Sequence, residues 1–125
     1  MYYSEGSWRK VEPLTDNEFD FAETFDTTLG CQPQQCYRNA LLAAKTFGQS
    51  HDVVYVEGYV TPGRFKTPVA HAWVEIDGKV VELTFLCGPE PDPMAAYLGI
   101  EFSLERVKEK IFQDGATGPL ADCKE

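Results

Sequence analysis

Positive charge is scarce in this sequence, and it is nowhere concentrated. The 11 Lys and Arg residues stand against 20 Asp and Glu residues, so the formal net charge is -9 at pH 7. No basic cluster is larger than Arg9-Lys10 or the pair Lys108 and Lys110. Such a surface repels phosphate backbones and anionic lipids. The composition therefore argues against nucleic-acid and membrane partners.

Long apolar runs are also missing. A membrane-spanning helix needs about 18 consecutive apolar residues, and no such run is found. The opening segment MYYSEGSWRK lacks the basic and apolar regions of a secretory signal, so we expect a cytoplasmic protein. In that compartment cysteines are usually thiols rather than disulfides, and the sequence has four of them: Cys31, Cys36, Cys87 and Cys123.

What is present suffices for one hydrophobic core. The chain has 125 residues, of which 43% are apolar and 13% aromatic, and we expect one domain over residues 1–125. We divide it into an N-terminal helix and loop (14–30), a central region (31–86), a C-terminal loop and helix (87–114) and a flexible tail (115–125).

Two helices are predicted in the first half. Thr15 to Glu18 form a capping-box pattern that opens a helix to about Phe25. Its acidic residues are expected on a solvated face: Asp16, Glu18, Asp20 and Glu23. A second helix is predicted from about Pro33 to Phe47, with Gly48 as the left-handed residue that ends it.

Strands and a last helix follow. β-branched and aromatic residues predict strands over Val53–Thr61, Val69–Ile76 and Lys79–Phe85, and Asp77-Gly78 is a strong hairpin signal between the last two. Met94–Leu98 is predicted as a helical turn ending at Gly99, and Ser103 as the cap of a helix over Leu104–Phe112. This order predicts an α+β fold in which N-terminal helices pack on a small antiparallel sheet, followed by a C-terminal helix.

Cys36 and His71 are the residues best placed for chemistry. A cysteine in the first turn of a helix lies at the positive end of the helix dipole, which stabilises a thiolate. His71 is one of two histidines, and the other, His51, lies in a polar loop. A two-residue turn at Asp77-Gly78 makes Glu82 the diagonal neighbour of His71, within reach of its ring. The pattern indicates a nucleophile, an imidazole and an acid that orients it.

The segments CYRNALLAAKTFG, YVEGYV and HAWVEIDGKVVELTF resemble the transglutaminase-like core of the papain-like cysteine peptidase superfamily. The similarity covers about residues 32–85. It implies a papain-like fold, with Cys36 as nucleophile, His71 as general base and acid, and Glu82 in the place of the family's Asp. The motifs CYRNA and HAW, with YLGIEFSLERV downstream, also resemble segments of small uncharacterised proteins of bacteria and phages. Those proteins have no assigned substrate.

The resemblance implies a hydrolase or acyltransferase for amides: a peptidase, a deamidase or a transglutaminase-type enzyme acting on a peptide or another amide, with no cofactor. Leu83 stands where the family usually has Pro. No Gln precedes Cys36 by six residues, so Gln32 or Gln34 would replace the usual oxyanion donor. Tyr59 and Trp73 are candidates for packing around the site or for stacking on a substrate.

Two other readings stay open at this point. The departures at Glu82 and Leu83 fit a catalytically inactive papain-like binding module. The second reading is a zinc site, whose four ligands would be Cys31, Cys36, Cys87 and His71. In a chain this short the cleft would be shallow unless a second copy completes it, so a homodimer is also left open.

Overall fold

An antiparallel sheet carries the candidate residues. The computed structural model describes residues 6–29, 35–48, 53–61, 67–83, 94–116 and 119–120. Within them the elements are, in chain order, β1 (Ser7–Trp8), α1 (Asp16–Leu29), α2 (Cys36–Phe47), β2 (Val53–Thr61), β3 (Val69–Ile76), β4 (Lys79–Val81), β5 (Ala96–Phe102) and α3 (Leu104–Asp114). The strand order is β1-β5-β2-β3-β4, with antiparallel neighbours throughout. The α+β class with an antiparallel sheet is therefore confirmed.

Helix α1 begins at the predicted capping box. The Thr15 N–H donates to Glu18 Oε1 over 2.7 Å, and the Glu18 N–H donates to Thr15 Oγ1 over 3.3 Å. The helix continues to Leu29, beyond the predicted end at Phe25. Glu18 is buried rather than solvated, because Lys79 Nζ of β4 reaches its carboxylate at 2.7 Å. This ion pair holds the pKa of Glu18 at about 2, because the Lys79 and Thr15 hydrogen bonds outweigh the opposing effect of burial.

Helix α2 ends at Phe47 as predicted, but it begins at Cys36, three residues after the predicted start at about Pro33, and it packs on β2 and β3. The left-handed ending predicted at Gly48 is wrong, since this residue is right-handed with φ -65°. A Cβ added at Gly48 would lie 3.2 Å from Leu104 Cδ1 of α3. The absence of a side chain at Gly48 therefore lets α3 pack close to the end of α2.

The β3–β4 hairpin has the predicted turn and register. Asp77 and Gly78 both have positive φ, at 54° and 78°, as a type I′ turn requires, and Ile76 pairs with Lys79. Strand β4 ends at Val81 rather than Phe85, because Glu82 and Leu83 no longer belong to the strand. Thr84 and Phe85 lie outside the described residues.

Met94–Leu98 was predicted as a helical turn, but residues 96–98 instead belong to strand β5. Ala96 to Phe102 pair with β2 over their whole length. Cross-strand pairing on both sides outweighs the weak local preference for helix. Gly99 does not end a helix but lies opposite Gly58 in the sheet.

The two faces of the sheet are covered differently. The outer face carries Tyr55, Ala72 and Val74, which join the core formed with α2 and α3. The inner face carries a second apolar cluster: Val56, Val60, Trp73, Val80 and Tyr97. Because side chains alternate along a strand, His71 lies on the inner face with Trp73, and Ala70 and Ala72 lie on the outer face.

The N-terminal segment joins both edges of the sheet around the inner cluster. Ser7 and Trp8 pair with β5, and two residues later Lys10 bridges to Lys79 of β4, where its carbonyl accepts from the Val80 N–H at 2.9 Å. Between them the Arg9 guanidinium makes two 2.7 Å hydrogen bonds to the buried Glu75 carboxylate. The sheet therefore closes on itself.

Leu120 lies in the stretch expected to be a flexible tail, yet it is docked on the outer face. Its side chain is buried, and its N–H donates to the Glu57 carboxylate at 2.5 Å. The Tyr55 hydroxyl donates to the same oxygen, also at 2.5 Å.

Candidate active site

Cys36 lies at the start of α2, where the first-turn N–H groups of a helix have no intrahelical partner. The preceding residue, Gln35, makes no side-chain hydrogen bond that would cap them. The thiol is free and only partly buried. The helix therefore presents this sulfur at its positive end, in reach of solvent.

His71 reaches this sulfur from strand β3. Its ring is 5% exposed, and Nε2 lies 2.8 Å from Glu82 Oε1. Burial lowers the pKa of His71, but hydrogen bonds to the Cys36 thiol and to the Glu82 carboxylate outweigh it and raise the pKa to about 9. The ring is thus positively charged at neutral pH.

Glu82 is held from both sides. Its Oε1 contacts His71, and its Oε2 accepts a hydrogen bond from the Tyr97 hydroxyl of β5. Both Glu82 and Tyr97 are fully buried. With a donor on each oxygen, the carboxylate is fixed in one orientation toward the imidazole.

The sequence analysis did not assign Tyr97 to this site, although a signal was present. In AYLGIEF, residues 97, 99 and 101 alternate with the apolar residues 96, 98, 100 and 102. That period of two is typical of a strand with Tyr97 on a different face from Leu98. The interpretation of Gly99 as the end of a helix concealed this strand pattern.

Trp73 and Tyr59 occupy different surroundings. The Trp73 ring stacks beside His71, with centroids 6.0 Å apart and planes at 26°, and meets the Tyr97 ring edge-on at 4.9 Å. It is completely buried, so it packs the site and offers no face to a substrate. Tyr59 is partly exposed on the outer face, opposite the face of the His71 ring. Gln32 and Gln34 lie outside the described residues.

The ligands of the alternative zinc site are only partly visible. Cys36 and His71 are in contact, but Cys31 and Cys87 lie outside the described residues. Among the residues that are described, no three His, Cys, Asp or Glu side chains are grouped so as to hold a metal ion.

None of the helices in the described ranges is both long enough and apolar enough to cross a membrane. Comparison with protein-family models gives no match, and comparisons with curated proteins and with solved structures give no significant match.

Proposed function

We propose that this protein is a cysteine-dependent amide hydrolase or acyltransferase of the papain-like, transglutaminase-like type. The observation that carries the proposal is the hydrogen-bonded series from Cys36 through His71 to Glu82. A nucleophile, a proton carrier and an orienting acid in this order are the parts that acyl transfer through a thioester requires.

Each group has a defined task in the reaction. The Cys36 sulfur attacks the carbonyl carbon of an amide, and the proton that His71 holds passes to the departing nitrogen as the C–N bond breaks. The acyl group is then joined to sulfur as a thioester. Water or an amine attacks this carbonyl and gives a proton to His71; the C–S bond then breaks, the acid or the new amide leaves, and the pair of Cys36 thiolate and His71 imidazolium is restored. Glu82 keeps the imidazole in the required tautomer and offsets its charge.

Alkylation of Cys36 by iodoacetamide tests the proposal without a known substrate. Because the thiolate is the reactive form, we expect Cys36 to react at about pH 6.5 at least about tenfold faster than the same residue in urea-unfolded protein. Mass spectrometry distinguishes Cys36 from the other three cysteines. His71→Ala and His71→Asn should each remove this advantage, and circular dichroism shows whether they are folded. Glu82→Gln should reduce the rate advantage of folded Cys36 by a smaller factor than the His71 variants do.

A reactive Cys36 that depends on His71 justifies screening peptide and primary-amide substrates, with Cys36→Ala as the inactive control. If folded Cys36 reacts no faster than in the unfolded chain, the enzyme proposal is overturned. The papain-like binding module is then the better account.

A further inference from the structure

The hydrogen bond between His71 and Glu82 holds a proton that either partner can carry. His71 Nε2 lies 2.8 Å from Glu82 Oε1, and the two residues are buried, with 5% and 2% of their surfaces exposed. With the proton on nitrogen the pair is charged, and with the proton on oxygen it is neutral. Because removing charges from water is costly, burial alone favours the neutral pair. A charged ring therefore depends on neighbours that stabilise the charges.

Tyr97 is such a neighbour on the carboxylate side. Its hydroxyl donates to Glu82 Oε2, whereas His71 contacts Oε1. A hydroxyl binds a charged carboxylate more strongly than a neutral carboxylic acid. The contact therefore favours the arrangement in which Glu82 is charged and the proton stays on His71.

The Tyr97 ring is fixed by its surroundings. It is 1% exposed, and it meets the Trp73 ring edge-on with centroids 4.9 Å apart. Its backbone pairs with Val60 of β2, and Trp73 in turn stacks beside His71. The hydroxyl is thus oriented toward the carboxylate before a substrate binds.

We infer that Tyr97 is a positioning residue of the proposed reaction, whose hydroxyl keeps the shared proton on His71 by stabilising the Glu82 carboxylate. This inference rests on the proposed function. A charged His71 balances the Cys36 thiolate and carries the proton that the departing nitrogen needs. Without the hydroxyl, the proton passes from Nε2 to Oε1 in a larger share of the molecules, and the thiolate then loses its counter-charge.

Tyr97→Phe tests the inference, since it removes the hydroxyl and keeps the ring that packs on Trp73. We expect the pH at which Cys36 is half reactive toward iodoacetamide to rise by about 0.7 pH units. Below that pH the reaction should be about fivefold slower, because a hydrogen bond to a charged group exceeds one to a neutral group by about this factor. Circular dichroism shows whether the variant is folded.

Nitrogen NMR of the His71 ring reports the position of the proton itself. At about pH 7 we expect two similar nitrogen shifts, typical of a charged ring, in the native protein. In Tyr97→Phe the two shifts should move apart, toward those of a neutral ring. His71→Asn assigns the signals by removing them.

A double variant separates an effect through Glu82 from a loss of packing. In Glu82→Gln protein there is no carboxylate for the hydroxyl to stabilise. Tyr97→Phe should therefore slow Cys36 by less than about 1.5-fold in that background.

Tyr55→Phe is the matched control. Tyr55 is also 1% exposed, and its hydroxyl also donates to a buried glutamate, Glu57, at 2.5 Å. Further titratable groups near the thiol are Tyr37 on α2 and, on β2, Tyr55 itself with Glu57. The control thus removes a hydroxyl near Cys36 that is bound to a different acid, and it should leave the pH profile unchanged.

Three results would overturn the inference and leave the proposed function standing: an unchanged pH profile in Tyr97→Phe, an equal shift in Tyr55→Phe, or an undiminished effect of Tyr97→Phe in Glu82→Gln protein. A neutral His71 ring in the native protein would also overturn it, and this measurement needs no variant to fold. If iodoacetamide reacts no faster with folded native protein than with the unfolded chain, the proposed function itself is overturned.

Discussion

Three buried glutamates, two on strands and one directly after β4, each accept hydrogen bonds from two residues, and these partners differ in what they can do. Glu57 accepts from the Tyr55 hydroxyl and the Leu120 N–H, and Glu75 accepts from Arg9 and the Trp73 indole. None of these donors gains or loses charge near neutral pH. Glu82 is different because one of its donors is His71. The partner, rather than burial, therefore distinguishes the candidate catalytic acid from the structural ones.

Protonation of His71 should make stability depend on pH. The pKa of His71 is about 9 in the folded protein and about 6.5 when the chain is unfolded. The folded state thus holds its proton more tightly, which stabilises it fully below about pH 6.5. This contribution is lost as the pH rises toward 9, by at most about 1.4 kcal/mol per pH unit.

Urea unfolding between about pH 6 and pH 9.5 measures this effect. The measurement is made in Cys36→Ser protein, because in the native protein a proton lost by Cys36 on folding would offset the proton gained by His71. The free energy of unfolding should fall across the range in Cys36→Ser and fall less in the double variant Cys36→Ser with His71→Asn. Parallel curves for the two proteins would show that His71 is not charged in the folded state at neutral pH.

At the level of the strands, a pair of glycines makes room for the site. Gly58 and Gly99 lie opposite each other on β2 and β5. A Cβ added at Gly99 would lie 2.7 Å from Val56 Cγ1 and 2.9 Å from the Trp73 ring. The absence of a side chain at this position therefore leaves room for Trp73 to stack beside His71 and to meet the Tyr97 ring edge-on.

Gly99→Ala should be destabilising by about 1–3 kcal/mol, because overpacking a filled interior forces side chains or backbone to shift. It should also slow the reaction of Cys36 with iodoacetamide, since Trp73 stacks on His71. Gly78→Asn is the matched control: the turn position has positive φ and open space around it, and Asn tolerates that conformation. Equal stability of Gly99→Ala and the native protein would refute this account of the inner face.

The elements that local signals define were predicted well, and those defined by distant partners were not. The Thr15–Glu18 capping box and the Asp77-Gly78 turn depend on a few adjacent residues, so the sequence displays them directly. Through the turn, the hairpin register also placed Glu82 beside His71. Strand β1 is only Ser7–Trp8, and the closure depends on the distant pairing of Lys10 with Lys79, so no local signal predicts it. Strand β5 does have an alternating pattern, but the interpretation of Gly99 as a helix end concealed it, and the contact of Tyr97 with Glu82 was therefore missed.

For the molecule as a whole, Arg9 stabilises the closed sheet by joining strands β3 and β5. Its guanidinium links Glu75 on β3 with Glu101 on β5, at 2.7 Å and 2.5 Å. Arg9→Met would leave the Glu75 carboxylate buried without its cation, which is expected to cost about 3 kcal/mol of unfolding free energy.

Denaturant unfolding measures this loss, and hydrogen exchange should show faster exchange of the Val80 amide, which donates to Lys10 across the closure. Arg106→Met is the control. Its ion pair with Glu109 spans 3.5 Å on an exposed face of α3 and should contribute less than about 1 kcal/mol. A similar loss for both variants would show that Arg9 acts as an ordinary surface charge.

The closure also determines when the site can form during synthesis. Ribosomes release the chain from its N-terminus, and a segment can pair only with strands that have already emerged. Ser7 and Trp8 must wait for Gly99 and Leu98, and Glu82 must wait for Tyr97. Cys36 and His71 emerge well before then. A nascent chain thus carries its thiol without the hydroxyl that fixes the acid, and full reactivity is expected only once β5 has left the exit tunnel.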